Sequence, residues 1–142
     1  MYHGHTPVVG RLDWAGNSGE HRLTPWTNDP VSDPPGEALY LRDEETAAVW
    51  TPTPQPAGAG VAHQVRYGAG YARWHSESHG LSQDLLVFVA PDDPVKIIRL
   101  HVRNQRHRPR RLTVTYCAEW ILGGARQQSN GALVPEYEAG PS

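Results

Sequence analysis

Across residues 95–104 the chain alternates: Ile98, Leu100 and Val102 fall on one side, Arg99, His101 and Arg103 on the other. The same two-residue period runs through residues 111–121. There Leu112, Val114, Tyr116, Ala118 and Trp120 alternate with Thr113, Thr115, Cys117 and Glu119. Successive side chains of a strand point to opposite faces, so this period marks half-buried strands and not helices. The pattern predicts that the two stretches pair antiparallel across a turn at 106–109. Ile98, Leu100, Val102, Leu112, Val114 and Tyr116 would then face the core.

Weaker patterns precede these. Residues 38–42 form a short strand ending at Asp43-Glu44-Glu45, and residues 46–51 return as its hairpin partner. Residues 61–67 and 71–77 flank Gly68-Ala69-Gly70, a second hairpin. Residues 81–90 alternate poorly at first and then become the apolar run 85–90, closed by the turn Asp92-Asp93-Pro94. Strands spaced roughly ten residues apart, with turn signals between, indicate an all-β antiparallel sandwich or barrel. By contrast, residues 1–36 are dense in Gly, Pro and Asn without periodicity, although Trp14 and Trp26 argue against plain disorder. The organisation read from this is a poorly matched segment 1–13, a sandwich over 14–122 and a loop-rich tail over 123–142. No domain ending is visible in the tail, so truncation there is expected.

Composition narrows the class further. Thirteen Pro and fourteen Gly in 142 residues exclude a helical bundle, because Pro breaks helices and Gly weakens them. No apolar run approaches the ~18 residues of a membrane span, and the N-terminus lacks the basic and apolar regions of a signal peptide. A net charge of −2 gives no global field for nucleic acid or direct membrane insertion. The single cysteine, Cys117, excludes a disulfide framework and a cysteine zinc cluster. It fits a reducing compartment, and a cytoplasmic location is expected.

Chemistry could reside in several places. Residues 17–36 concentrate amides, carboxylates, one Arg and one Trp, a mixture suited to paired sugar hydroxyls and to stacking on a sugar face. Composition alone favours a long loop whose polar side chains cap its own backbone. His75 and His79 have helical ligand spacing, but on a strand such residues lie about 13 Å apart, too far for one ion. Residues 103–111 form a basic cluster that reads as a solvated hairpin tip. Trp50 and Trp74 read as core residues before stacking platforms.

The segment Asn17-Ser18-Gly19-Glu20-His21-Arg22-Leu23-Thr24-Pro25-Trp26-Thr27-Asn28-Asp29-Pro30, continuing to Gly36, resembles N-S-R-E-N-R-L-T-P-W-S-N-D-P-V-S-D-P-P-G-E. That signature belongs to the cyclic β-1,2-glucan synthases. They group with the cellobiose and chitobiose phosphorylases of glycoside hydrolase family 94, formerly glycosyltransferase family 36. The likeness continues through 38–44, Gly70-Tyr71, 77–80, 92–96 and Ala118-Glu119-Trp120. Gly19 and His21 depart from the pattern, and the missing Arg at position 19 removes any anion contact there.

The resemblance implies a β-supersandwich related to the galactose mutarotase-like sandwiches. In the family it precedes a helical barrel domain that supplies the general acid and the phosphate-binding groups for inverting phosphorolysis. It implies a carbohydrate-binding role for Arg22, Thr24, Trp26, Asn28, Asp29 and Asp33, toward a β-linked glucan or oligosaccharide. It implies no cofactor and no catalytic residue in this chain alone, with the barrel as partner. A free-standing carbohydrate-binding module and a purely structural interface domain are the alternatives.

Overall fold

The computed structural model describes Val31, residues 36–92 and 95–120, Val134 and Glu136. The 1–13 segment, nearly all of the 123–142 tail, and Asp93 and Pro94 of the expected turn lie outside the described residues. Within them there is no helix. The elements are β1 (Glu37–Asp43), β2 (Val49–Trp50), β3 (His63–Gly68), β4 (Tyr71–Ser78), β5 (Leu81–Val89), β6 (Lys96–Asn104) and β7 (Leu112–Ala118). They form two antiparallel sheets, ordered β2-β1-β7 and β3-β4-β5-β6.

The hairpins read from the sequence form where turn chemistry permits them. Asp43 closes β1: its Oδ1 accepts the backbone N–H of Glu45 at 2.8 Å and of Thr46 at 3.3 Å, an Asx-type turn returning the chain to β2. Between β4 and β5 the two-residue loop His79-Gly80 has φ of 53° and 73°. Positive φ at both loop positions is the type I′ geometry that matches strand twist. Gly80 is required twice over there, because a Cβ would also lie 2.4 Å from Nε of Arg106.

One pairing differs from expectation. β6 pairs with β5, from Val89↔Lys96 to Leu81↔Asn104, whereas β7 pairs with β1, from Glu37↔Ala118 to Asp43↔Leu112. The two best-patterned strands therefore lie in different sheets, and residues 105–111 cross between the sheets. Alternation specifies which face is buried; it does not specify a neighbour. The basic cluster is accordingly not a hairpin tip but a connection between sheets, exposed as expected except at Arg110. Arg110 within it is buried, its side chain 4% exposed, and ion-paired to Asp43, whose side chain is 1% exposed.

The core lies between the sheets. Ala72, Trp74, Leu85 and Val87 form one cluster, with Leu39, Val65, Ile98 and Leu100 packed on it. Leu41, Trp50 and Leu81 form a second, flanked by Leu100, Val102 and Leu112. Leu39 and Leu41 of β1 thus reach across onto the four-stranded sheet. Ile98, Leu100, Val102 and Leu112 face inward as expected. Val114 and Tyr116 do not meet that expectation: they are 53% and 44% exposed. They oppose the inward Leu41 and Leu39 in register, so they share the inner face, but the four-stranded sheet does not cover them.

A buried polar network joins the sheets at one end. Trp50 Nε1 donates to Gln83 Oε1 at 2.8 Å, and Gln83 Nε2 donates to Ser78 Oγ at 2.7 Å. The His79 ring stacks on Trp50 with centroids 4.1 Å apart. Arg110 donates to the His79 carbonyl and to Asp43 Oδ2. This satisfies the Trp50 indole and the Gln83 amide, groups that would be costly to bury unpaired, although Arg110 Nε is left without a partner. Trp50 and Trp74 both lie in the core, each 1% exposed. Elsewhere Lys96 of β6 and Tyr116 of β7 both bond Glu37 of β1, a further tie across the sandwich. Burial first, and the Glu37 carboxylate second, push the Tyr116 phenol upward in pKa.

Candidate functional site

The six residues singled out from the sequence, Arg22, Thr24, Trp26, Asn28, Asp29 and Asp33, lie outside the described residues. What is described is a second concentration of polar chemistry, on the outer face of the four-stranded sheet. It follows from the same alternation that builds the core. With Val65, Ala72, Trp74, Leu85 and Leu100 turned inward, the intervening Gln64, Arg66, Arg73, His75, Asp84, Arg99 and His101 must point outward.

Register then brings residues from different strands side by side. Gln64 opposes His75, His75 opposes Asp84, and Asp84 opposes His101, making one polar row across four strands. The next row holds Arg66, Arg73, Leu86 and Arg99. At its centre Arg73 grips Asp84 with a fork: Nε lies 3.0 Å from Oδ1 and 2.9 Å from Oδ2, and Nη2 lies 2.6 Å from Oδ2. The carboxylate raises the Arg73 pKa. His75 Nδ1 stands 3.7 Å from Asp84 Oδ2, too far for a hydrogen bond.

Gln64, Arg66, Arg73, His75 and Asp84 line a shallow cleft of about 240 Å³. It offers an amide, two guanidinium groups, an imidazole and a carboxylate, a donor and acceptor set that can read a polyhydroxylated ligand. Beyond it Tyr71, Phe88 and Ile97 form an apolar row on the same face. The Tyr71 ring lies over Gly68, where a Cβ would be 2.0 Å from Cε1. No cluster of three or more His, Cys, Asp or Glu that could hold a metal occurs among the described residues. His75 sits on β4 and His79 in the following turn, stacked on Trp50, so they serve separate places. No helix among these residues is long and apolar enough to cross a membrane.

Comparison with known proteins adds the context. Residues 10–140 match the family described as glycosyl hydrolase 94, supersandwich domain. The chain is 36% identical over 128 residues to cyclic β-(1,2)-glucan synthase NdvB of Rhizobium meliloti (strain 1021), covering 89% of this chain and 4% of that protein. It is 24% identical over 123 residues to N,N′-diacetylchitobiose phosphorylase of Vibrio furnissii, covering 84% of this chain and 15% of that protein. The phosphorylase of the same name from Vibrio proteolyticus is 23% identical over 128 residues, covering 87% and 16%. The chain thus spans only a small part of each relative's length. A match over most of the chain, on an all-strand sandwich of two antiparallel sheets, means that this chain belongs to the glycosyl hydrolase 94 supersandwich-domain family.

Proposed function

We propose that the chain is a carbohydrate-binding sandwich module of a longer glycan phosphorylase or cyclic β-1,2-glucan synthase-like protein. In that protein it shapes a site for β-linked glucan and leaves bond making to a helical barrel domain. The observation that carries this is the family match over residues 10–140, shared by relatives whose names specify a cyclic β-(1,2)-glucan and N,N′-diacetylchitobiose. The sugar-contacting residues are Arg22, Thr24, Trp26, Asn28, Asp29 and Asp33, in a unit spanning 14–122. Glycosyl transfer with inversion needs a carboxylic acid of raised pKa beside the leaving oxygen. Among the described residues, Asp43 is held low by Arg110 and Asp84 is occupied by Arg73, so neither is such an acid.

Titration of the purified chain with β-1,2- and β-1,4-gluco-oligosaccharides tests the reading. Saturable binding is expected, with no release of glucose 1-phosphate from glucan and phosphate. Trp26→Ala should weaken binding by about 1 kcal/mol through lost stacking. Asp29→Ala should cost roughly 1.5–3 kcal/mol through a lost charged acceptor. If both variants bind as the unaltered chain does, those residues are not the sugar site; turnover by the pure chain would end the non-catalytic assignment. The partly uncovered Val114, Tyr116 and Trp120 favour a second role, an interface with another part of the parent protein.

A further inference from the structure

We infer that the outward face of β6, carrying Arg99, His101 and Arg103, is a binding site for a phosphate-bearing ligand. These three side chains occupy successive outward positions, fixed there because Ile98, Leu100 and Val102 are packed on the core. Same-face residues on a strand are spaced about 6.7 Å apart, so the two arginines flank His101 and can close over it from either side. Register sets Ser82 beside Arg103 and Asp84 beside His101 on β5. The groups border an opening of about 510 Å³, walled on its far side by the Arg73–Asp84 pair.

Charge makes this face unusual. The chain as a whole is acidic, at −2. The outer face of the four-stranded sheet nevertheless carries Arg66, Arg73, Arg99 and Arg103 against two carboxylates, Asp84 and Glu77. Asp84 is taken by Arg73, and Glu77 accepts from Gln105 Nε2 at 2.8 Å. Arg66, Arg99 and Arg103 have no ion pair among the described residues. Arg66 and Arg73 even oppose one another directly in register, an arrangement that costs stability.

The missing element is a concentrated anion with several acceptors. A phosphate monoester presents up to two charges and three oxygens on one tetrahedron. Two guanidinium forks, an imidazole N–H and the Ser82 hydroxyl supply matching donors. A neutral sugar would leave the charge uncompensated. An acidic protein surface would call for apolar ground between the cations; Leu86 alone lies among them, and the Tyr71, Phe88 and Ile97 row stands to one side.

The site is independent of the sugar reading, because inorganic phosphate suffices as the probe. Amide chemical shifts of the full chain would be followed on adding inorganic phosphate, a hexose phosphate, the uncharged hexose and an acidic peptide. Phosphate and hexose phosphate should shift β5 and β6 amides saturably, while the hexose and the peptide leave them in place. The double variant Arg99→Ala/Arg103→Ala should weaken phosphate at least tenfold, with the exposed Arg42→Ala on the other sheet unchanged as a control. Arg99→Lys/Arg103→Lys keeps the charge, guards against misfolding of the alanine pair, and should bind at an intermediate level. Equal phosphate binding by the unaltered chain and the lysine and alanine pairs, an equal loss in Arg42→Ala, or stronger response to the peptide would each overturn the site.

Discussion

Both oxygens of the Asp43 carboxylate are engaged inside the protein, one by turn amides and the other by Arg110, and its pKa falls from 3.8 to about 2. The Arg110 bond is the main cause, followed by the Glu45 amide. A depressed carboxylate binds protons less readily when folded than when unfolded. Its contribution to stability is therefore complete above about 3.8 and is lost as pH falls through about 2. Asp43→Asn should flatten the acid limb of a urea-denaturation series between those values and lower stability at neutral pH, where Arg110 would be left buried without a counter-charge. An acid limb as steep as that of the unaltered chain would contradict this. The neighbouring Trp50 should tolerate truncation poorly: Trp50→Ala is expected to cost about 3–5 kcal/mol, measured by the same denaturation. At this scale the sequence is only partly legible. It identifies Trp50 and Trp74 as core, but Arg110 looks like any other member of a basic run. Nothing local to 103–111 reveals that its partner is Asp43, far upstream.

Strands are where the sequence speaks most clearly. The positions of β1 through β7 follow from alternation and from turn residues, because both are local properties of the backbone. Partner choice is not local. Adjacency correctly pairs β1 with β2 and β3 with β4, yet it misassigns β6 and β7, whose connection spans the two sheets. The polar cluster on the outer face is hidden for the same reason. Arg66, Arg73, His75 and Asp84 are each ordinary outward residues of their own strands, and only register makes them neighbours. The turns are more predictable in their chemistry. Gly80→Ala imposes a side chain at positive φ and against Arg106, so it should cost about 1 kcal/mol or more. Thermal melting would read that loss; an unchanged melting temperature would mean that the His79-Gly80 turn relaxes freely.

As a whole, the described sandwich is unevenly closed. At its centre two sheets bury Trp50, Trp74 and the leucines between them, while β7 carries Val114 and Tyr116 beyond the cover of the opposite sheet. Apolar surface left open in this way favours association with another surface. Val114→Thr should leave the melting temperature nearly unchanged and reduce concentration-dependent association seen by analytical ultracentrifugation. A large loss of melting temperature would instead show that the strip is covered in solution.

Pairing β1 with β7 has a consequence for synthesis. The backbone N–H of Glu119 donates to the carbonyl of Gly36 at 2.8 Å, so the two ends of the described sandwich meet. A nascent chain emerging N-terminus first can assemble the β3–β6 meander from near neighbours as soon as each hairpin clears the ribosome. Among the described strands β1 is made first, and of these it has only the two-residue β2 for company until β7 arrives. During that interval Leu39 and Leu41 travel with an open edge, so the risk of pairing with the wrong strand is greatest at the beginning of the domain, and its relief comes last.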